Sequence, residues 1–140
     1  METSPLHAWQ PRALAVLRII TGYLLIPHGT AKLLGMPHQA MFDGLQLVSL
    51  MGLAGILELF GGLLILIGLF TRPVAFVLCG FMAVAYFMAH ASQGSVLLPL
   101  LNQGELAVLY CFVFLYFVFA GAGAWSVDDM RERSRLAPAR

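Results

Sequence analysis

Apolar residues fall into four long runs, at about 12–34, 47–70, 74–91 and 104–120, separated by short stretches where glycine, proline and polar residues gather. A hydrocarbon core of about 30 Å is crossed by about 20 residues of apolar α-helix, so the pattern predicts four membrane-spanning helices. The punctuation agrees. Pro11 precedes the first run, and Gly35 and Pro37 follow it. Thr71-Arg72-Pro73 divides the second from the third, at a place where proline is tolerated because it opens a helix. Gly94, Ser95, Pro99 and Asn102 mark the next loop, and Gly121 and Gly123 close the fourth run. The expected architecture is all-α: a single domain, 1–140, forming an antiparallel four-helix membrane bundle with a short polar tail from about Ser126.

Composition supports a membrane protein. Of 140 residues, 60% are hydrophobic and 11% charged, against about 25% charged in a soluble domain. The length leaves no room for a bundle plus a soluble catalytic domain. A net charge of +1 with no basic stripe argues against nucleic acid as a partner. The start has no basic n-region, and the run after Arg12 is too long for a signal-peptide core, so the first helix is expected to remain. Basic residues set orientation. Arg12, Arg72, Arg131, Arg133, Arg135 and Arg140 share one side, and Lys32 stands alone on the other. Both termini are therefore expected in the cytoplasm.

Glu58 lies in the middle of the second run as its one ionisable side chain. A charge at bilayer depth costs roughly 2.5–3.5 kcal/mol on insertion scales and usually meets a partner or a cavity. His28 and Lys32, four apart on one helix face, and His90, Asn102 and Glu105 all fall in the same outer half of the bundle. Glu58 lies on a stripe with Met51, Gly55 and Gly62, whose small members permit close helix approach. His90 shares a helical face with Gly80, Ala83 and Phe87, which reads as a packed side. A basic or hydrogen-bonding side chain is expected within about 4 Å of Glu58, from Lys32, His28 or Arg18. Arg18, nearer the cytoplasmic side, is read as a structural ion-pairing residue. Other readings stand beside these: Lys32, His90 and Glu105 can snorkel to headgroups, and Glu58 can fix helix register without chemistry. No His-x-x-x-His or Glu-x-x-His spacing concentrates ligands, so no metal is expected.

Two cysteines lie within spans. Counting about 1.5 Å per residue puts Cys79 about 9 Å from the cytoplasmic end of its helix and Cys111 about 10 Å from the opposite end of the next. That count separates their depths by roughly 10 Å, and no disulfide between them is expected.

Read in order, these pieces resemble the DoxX family of small four-helix bacterial membrane proteins. The likeness runs from about Leu14 to Asp128. It includes Leu17-Arg18-Ile19, His28-Gly29 with Lys32-Leu33, Glu58 with Gly61-Gly62, and Gly68-Leu69-Phe70-Thr71-Arg72. It continues through His90, Asn102 with Gly104-Glu105, and Trp125-Ser126-Val127-Asp128. Gln103 and Ala122 depart from the family's usual pattern and concern loop geometry. The resemblance implies a bacterial inner-membrane location. It also implies an association with quinone-linked oxidation or thiol redox homeostasis.

On that basis the expected function is a small subunit of an oxidoreductase, not a stand-alone enzyme. It would hold a quinone or quinol among His28, Lys32, Glu58, His90, Asn102 and Glu105. A quinone needs an apolar slot, donors at its carbonyls and a proton acceptor for quinol oxidation. No haem, flavin or iron–sulfur motif is present, so a redox partner protein would carry electrons onward. The bilayer is the other expected partner, and a homo-oligomer is compatible with the sequence. The alternative is a non-catalytic accessory or assembly protein, or a small-solute transporter, using the same polar cluster.

Overall fold

The computed structural model describes residues 5–136; Arg140, counted above for orientation, lies outside them. A short 3₁₀ turn, Pro5–Trp9, leads into α1, Gln10–Leu34, with Pro11 in its first turn. α1 ends on Gly35, left-handed at φ 64°. α2 is Leu50–Ile67, capped at its start by Ser49, whose Oγ accepts from Gly52 N at 3.0 Å. Gly68, at φ 67°, closes α2. Gly68 N donates to Ile65 O and Leu69 N to Leu64 O, satisfying carbonyls the helix end would orphan. α3, Thr71–Ala85, continues as one π-helical turn, Tyr86–His90, and a 3₁₀ turn, Ala91–Gln93. α4 is Glu105–Ala120 and α5 is Val127–Leu136.

Three helical stretches, Leu6–Leu34, Leu50–Ile67 and Thr71–Gln93, are long and apolar enough to cross a membrane. α4 is equally apolar but has 16 residues, about 24 Å at 1.5 Å per residue. Every described regular element is helical. The helical tail α5 was not anticipated, since its polar sequence carries no apolar periodicity.

Glycine lets α1 and α2 meet backbone to backbone. A β-carbon on Gly22 would lie 2.7 Å from Gly62 O, and one on Gly55 would lie 3.0 Å from Lys32 Cβ. This is the close approach that the small-residue stripe of α2 implied. α3 and α4 pack through larger side chains: Leu78 and Met82 against Tyr110, Phe114 and Phe117, a cluster that also takes in Leu25 and Ile65. Many of the other large apolar side chains, among them Phe76, Phe112 and Phe119, point outward, as helices embedded in lipid require.

The face shared by Gly80 and Phe87 is not a packed one. Gly80 is exposed, with open space where a β-carbon would stand, and Phe87 is exposed too. A small residue on a lipid-facing helix need not mark a packed side, and the π turn at Tyr86–His90 also shifts His90 out of phase with Gly80.

The end of the bundle that gathers both terminal segments and the 68–72 turn, here the terminal end, is held by polar side chains. Arg18 is fully buried and donates to five carbonyls. Nε reaches Ala122 O at 2.8 Å, Nη1 reaches Ile65 O at 2.8 Å and also Leu66 O, and Nη2 reaches Trp125 O at 2.9 Å and Ala124 O at 3.4 Å. The ion pair expected for Arg18 is thus replaced by carbonyls. They lie at the end of α2, where Ile65 O is shared with Gly68 N and the helix dipole also favours a cation, and in the turn after α4. Asp128 caps α3 by accepting from Phe70 N at 2.9 Å and Thr71 N at 2.8 Å. Arg72 donates to Val118 O at 2.8 Å and Phe119 O at 2.7 Å, closing α4.

Candidate functional site

Six residues were expected to converge, and the structure arranges five of them in two groups. The first group joins α1 and α2. Lys32 Nζ stands 2.6 Å from Glu58 Oε2, and both side chains are 9% exposed. Lys32 reaches inward because Gly55 and Gly29 bring the two helix backbones together beneath it. Its Nζ also lies 3.5 Å from His28 O and 5.1 Å from the centre of the Phe42 ring, a cation–π contact. This is the basic partner within about 4 Å that the depth of Glu58 demanded. His28 is exposed; its backbone carbonyl meets Lys32, and its imidazole lies within electrostatic range of Glu58. Glu58 Oε1 takes no protein donor among the described residues.

The second group lies where the π turn meets the loop before α4. Asn102 is buried and central to it. Its Nδ2 donates to Ser95 O at 2.9 Å and to Tyr86 Oη at 3.2 Å, and its Oδ1 accepts from Gly104 N at 2.9 Å. Tyr86 Oη in turn donates to Val96 O at 2.7 Å. His90 Nδ1 lies 3.2 Å from Asn102 O; a carbonyl only accepts, so Nδ1 carries the proton there. A β-carbon on Gly104 would lie 2.5 Å from the Tyr86 ring, which explains glycine at that position. Tyr86 was missed in the sequence. Its position four residues before His90 was the available signal.

Glu105 joins neither group. It is exposed in the first turn of α4, where a carboxylate is favoured by the helix dipole. The Lys32–Glu58 group keeps a free carboxylate oxygen and a lysine with donor capacity to spare, so it can exchange a proton or hold a polar ligand head. The Asn102 group is mutually satisfied and orders the loop.

Two open clefts lie elsewhere, at the terminal end. The larger, about 580 Å³, runs between Arg72, Gly121, Asp128 and Arg133, and none of the six residues lines either cleft.

The cysteine geometry departs from expectation. Cys79 and Cys111 are both free thiols, but their sulfurs are 3.7 Å apart. The depth count failed because the two depths were counted from opposite ends. Cys111 sits nine residues from Ala120 and Cys79 eight from Thr71, about 14 and 12 Å from the same end at 1.5 Å per residue.

Apolar helices of this length, with charge confined to one buried pair, one buried arginine and the helix ends, define a membrane protein. Residues 13–91 match the DoxX family model. An uncharacterized protein of Haemophilus influenzae (strain ATCC 51907 / DSM 11121 / KW20 / Rd) is 46% identical over 131 residues, covering 89% of this chain and 94% of that protein. No solved structure matches. The chain belongs to the DoxX family.

Proposed function

We propose that this protein is a small subunit of a redox system in a bacterial inner membrane, engaging a quinone or quinol at the Lys32–Glu58 pair. In this reading α4 also crosses the bilayer, both termini are cytoplasmic, and the pair lies toward the outer half. The observation that carries the proposal is the pair itself: a 2.6 Å Lys–Glu contact within an apolar layer. A membrane protein that keeps both charges there usually uses them.

The chemistry fits a quinone head. Lys32 Nζ can donate to a quinone carbonyl, and the free Glu58 Oε1 can accept from a quinol hydroxyl and take its proton. The Phe42 ring beside Nζ supplies an apolar wall. Bound quinone would supply the electron chemistry; the chain's residues would orient the head and move its proton. Electrons would then pass to a partner protein.

A second reading is favoured by the clefts at the terminal end, which lie away from the pair. In it, the pair pins α1 to α2 and the protein is a non-catalytic accessory or small-solute carrier.

Native mass spectrometry and quinone titration of Glu58→Gln against the parent protein separate the two. The first reading expects quinone binding to fall with the fold intact. Unchanged quinone binding in a folded Glu58→Gln protein overturns it.

A further inference from the structure

Cys79 of α3 and Cys111 of α4 face each other with sulfurs 3.7 Å apart, at van der Waals contact. Both side chains are partly buried and pack on the core cluster formed by residues such as Leu78 and Phe114. A disulfide sulfur–sulfur bond is about 2.05 Å long, so closure needs roughly 1.7 Å of relative sulfur movement. The helix surface next to Cys79 faces outward at Gly80, which is exposed and, apart from its chain neighbours and its own helix backbone, has no atom within 4 Å of where a β-carbon would be.

We propose that Cys79 and Cys111 form a redox-active dithiol that is oxidised from the bilayer by a lipid-dissolved quinone approaching over Gly80. Two S–H bonds break and one S–S bond forms. Two electrons and two protons pass to the quinone, which leaves as quinol. The oxidant class follows from location. Thiols on a lipid-facing seam are met by apolar oxidants, and quinones are two-electron acceptors dissolved in that phase. The disulfide would tie α3 to α4 across a 32-residue separation. The reaction uses neither Lys32 nor Glu58, so it does not rest on a quinone site there.

The test uses the full chain, reduced, in detergent, with decylubiquinone, whose fully substituted ring resists thiol addition. Maleimide labelling under denaturing conditions and intact mass report the thiols. Two labels are expected before quinone. Afterwards none is expected, with the monomer lighter by two hydrogens and one quinol formed per chain. Cys79→Ser should keep one label throughout and form no quinol. Gly80→Phe should slow closure on the order of tenfold, because access controls thiol reactivity. Ile20→Ala, an outward position on α1 away from both the thiols and the Lys32–Glu58 pair, should close at the parent rate. Two labels surviving quinone treatment, or disulfides formed only between chains, overturn the proposal. An unchanged rate in Gly80→Phe, or an equal slowing in Ile20→Ala, overturns the approach over Gly80.

Discussion

Gly68 lacks a side chain because Ser126 and Arg18 fill the space: a β-carbon there would meet Ser126 Cβ first and lie 2.9 Å from Arg18 Cζ. Gly68 also holds φ at 67°, where residues with a β-carbon cost about 1–2 kcal/mol. Gly68→Ala should therefore lose more than the backbone cost alone, about 2–4 kcal/mol once the clash is added. Denaturant unfolding in detergent micelles measures this. A loss below about 1 kcal/mol would show that Arg18 can step aside without penalty.

Arg18 makes a sharper prediction. Its five carbonyl contacts come from α2 and from the turn after α4, so it ties three chain segments at one point. Arg18→Met removes the donor from all of them except Ile65 O, which keeps Gly68 N, and should cost on the order of 3–5 kcal/mol. Arg18→Lys should recover only part, since an ammonium offers three donors and no planar fork. Equal stability for the lysine variant and the parent would refute a role for guanidinium geometry.

How much of this was legible in the sequence depends on what kind of signal each feature leaves. The helices were legible because apolar run length and glycine–proline punctuation are local. The Lys32–Glu58 contact was legible because Glu58 is an ionisable group in an apolar run and Gly55 lets α1 close over it. Arg18 was misread because sequence displays side-chain partners, whereas its partners are backbone carbonyls at a helix end and in a turn. The phase of His90 was hidden because the π turn at Tyr86–His90 resets a phase that a fixed period of 3.6 assumes, and the outward face of Gly80 because a small residue does not by itself say what packs on it. The cysteine contact was missed although the fourth run, 104–120, already showed α4 to be short, because the two depths were counted from opposite ends; counted from one end they nearly coincide.

Asp128 should behave as a helix cap supplied from a distant segment. Its two oxygens accept from Phe70 N and Thr71 N at the start of α3. Asp128→Asn keeps one acceptor and loses the charge, and should cost about 1 kcal/mol; Asp128→Ala should cost up to about 2 kcal/mol. Hydrogen exchange at Phe70 and Thr71 checks the cause, since both amides should exchange faster. Unaltered exchange alongside lost stability would place the effect elsewhere.

Orientation follows from the arginines around the terminal end. Reporter fusions after Leu136 and within residues 92–98 should give opposite readings, the tail inside and the loop outside. Exchanging Arg72, Arg131 and Arg133 for glutamine while adding lysines beside Gln93 should weaken that preference. A parent protein with its tail outside would reverse the sidedness of the Lys32–Glu58 pair.

A double-mutant cycle on that pair separates glue from site. Lys32→Met strands Glu58, and Glu58→Leu strands Lys32; each single change should cost about 3–5 kcal/mol if the charge stays ionised. Replacing both with apolar residues removes the stranded charge, and the double variant should return to within about 1 kcal/mol of the parent, or exceed it. Stability measured this way reports the pair as structure. Quinone titration of the same four proteins reports it as a site. The proposed function expects the double variant to be stable and deficient in binding, because the donor and the proton acceptor are both gone while α1 and α2 still pack through Gly22, Gly55 and Gly62. A stable double variant that binds quinone like the parent would leave the pair as a pin between two helices and nothing more.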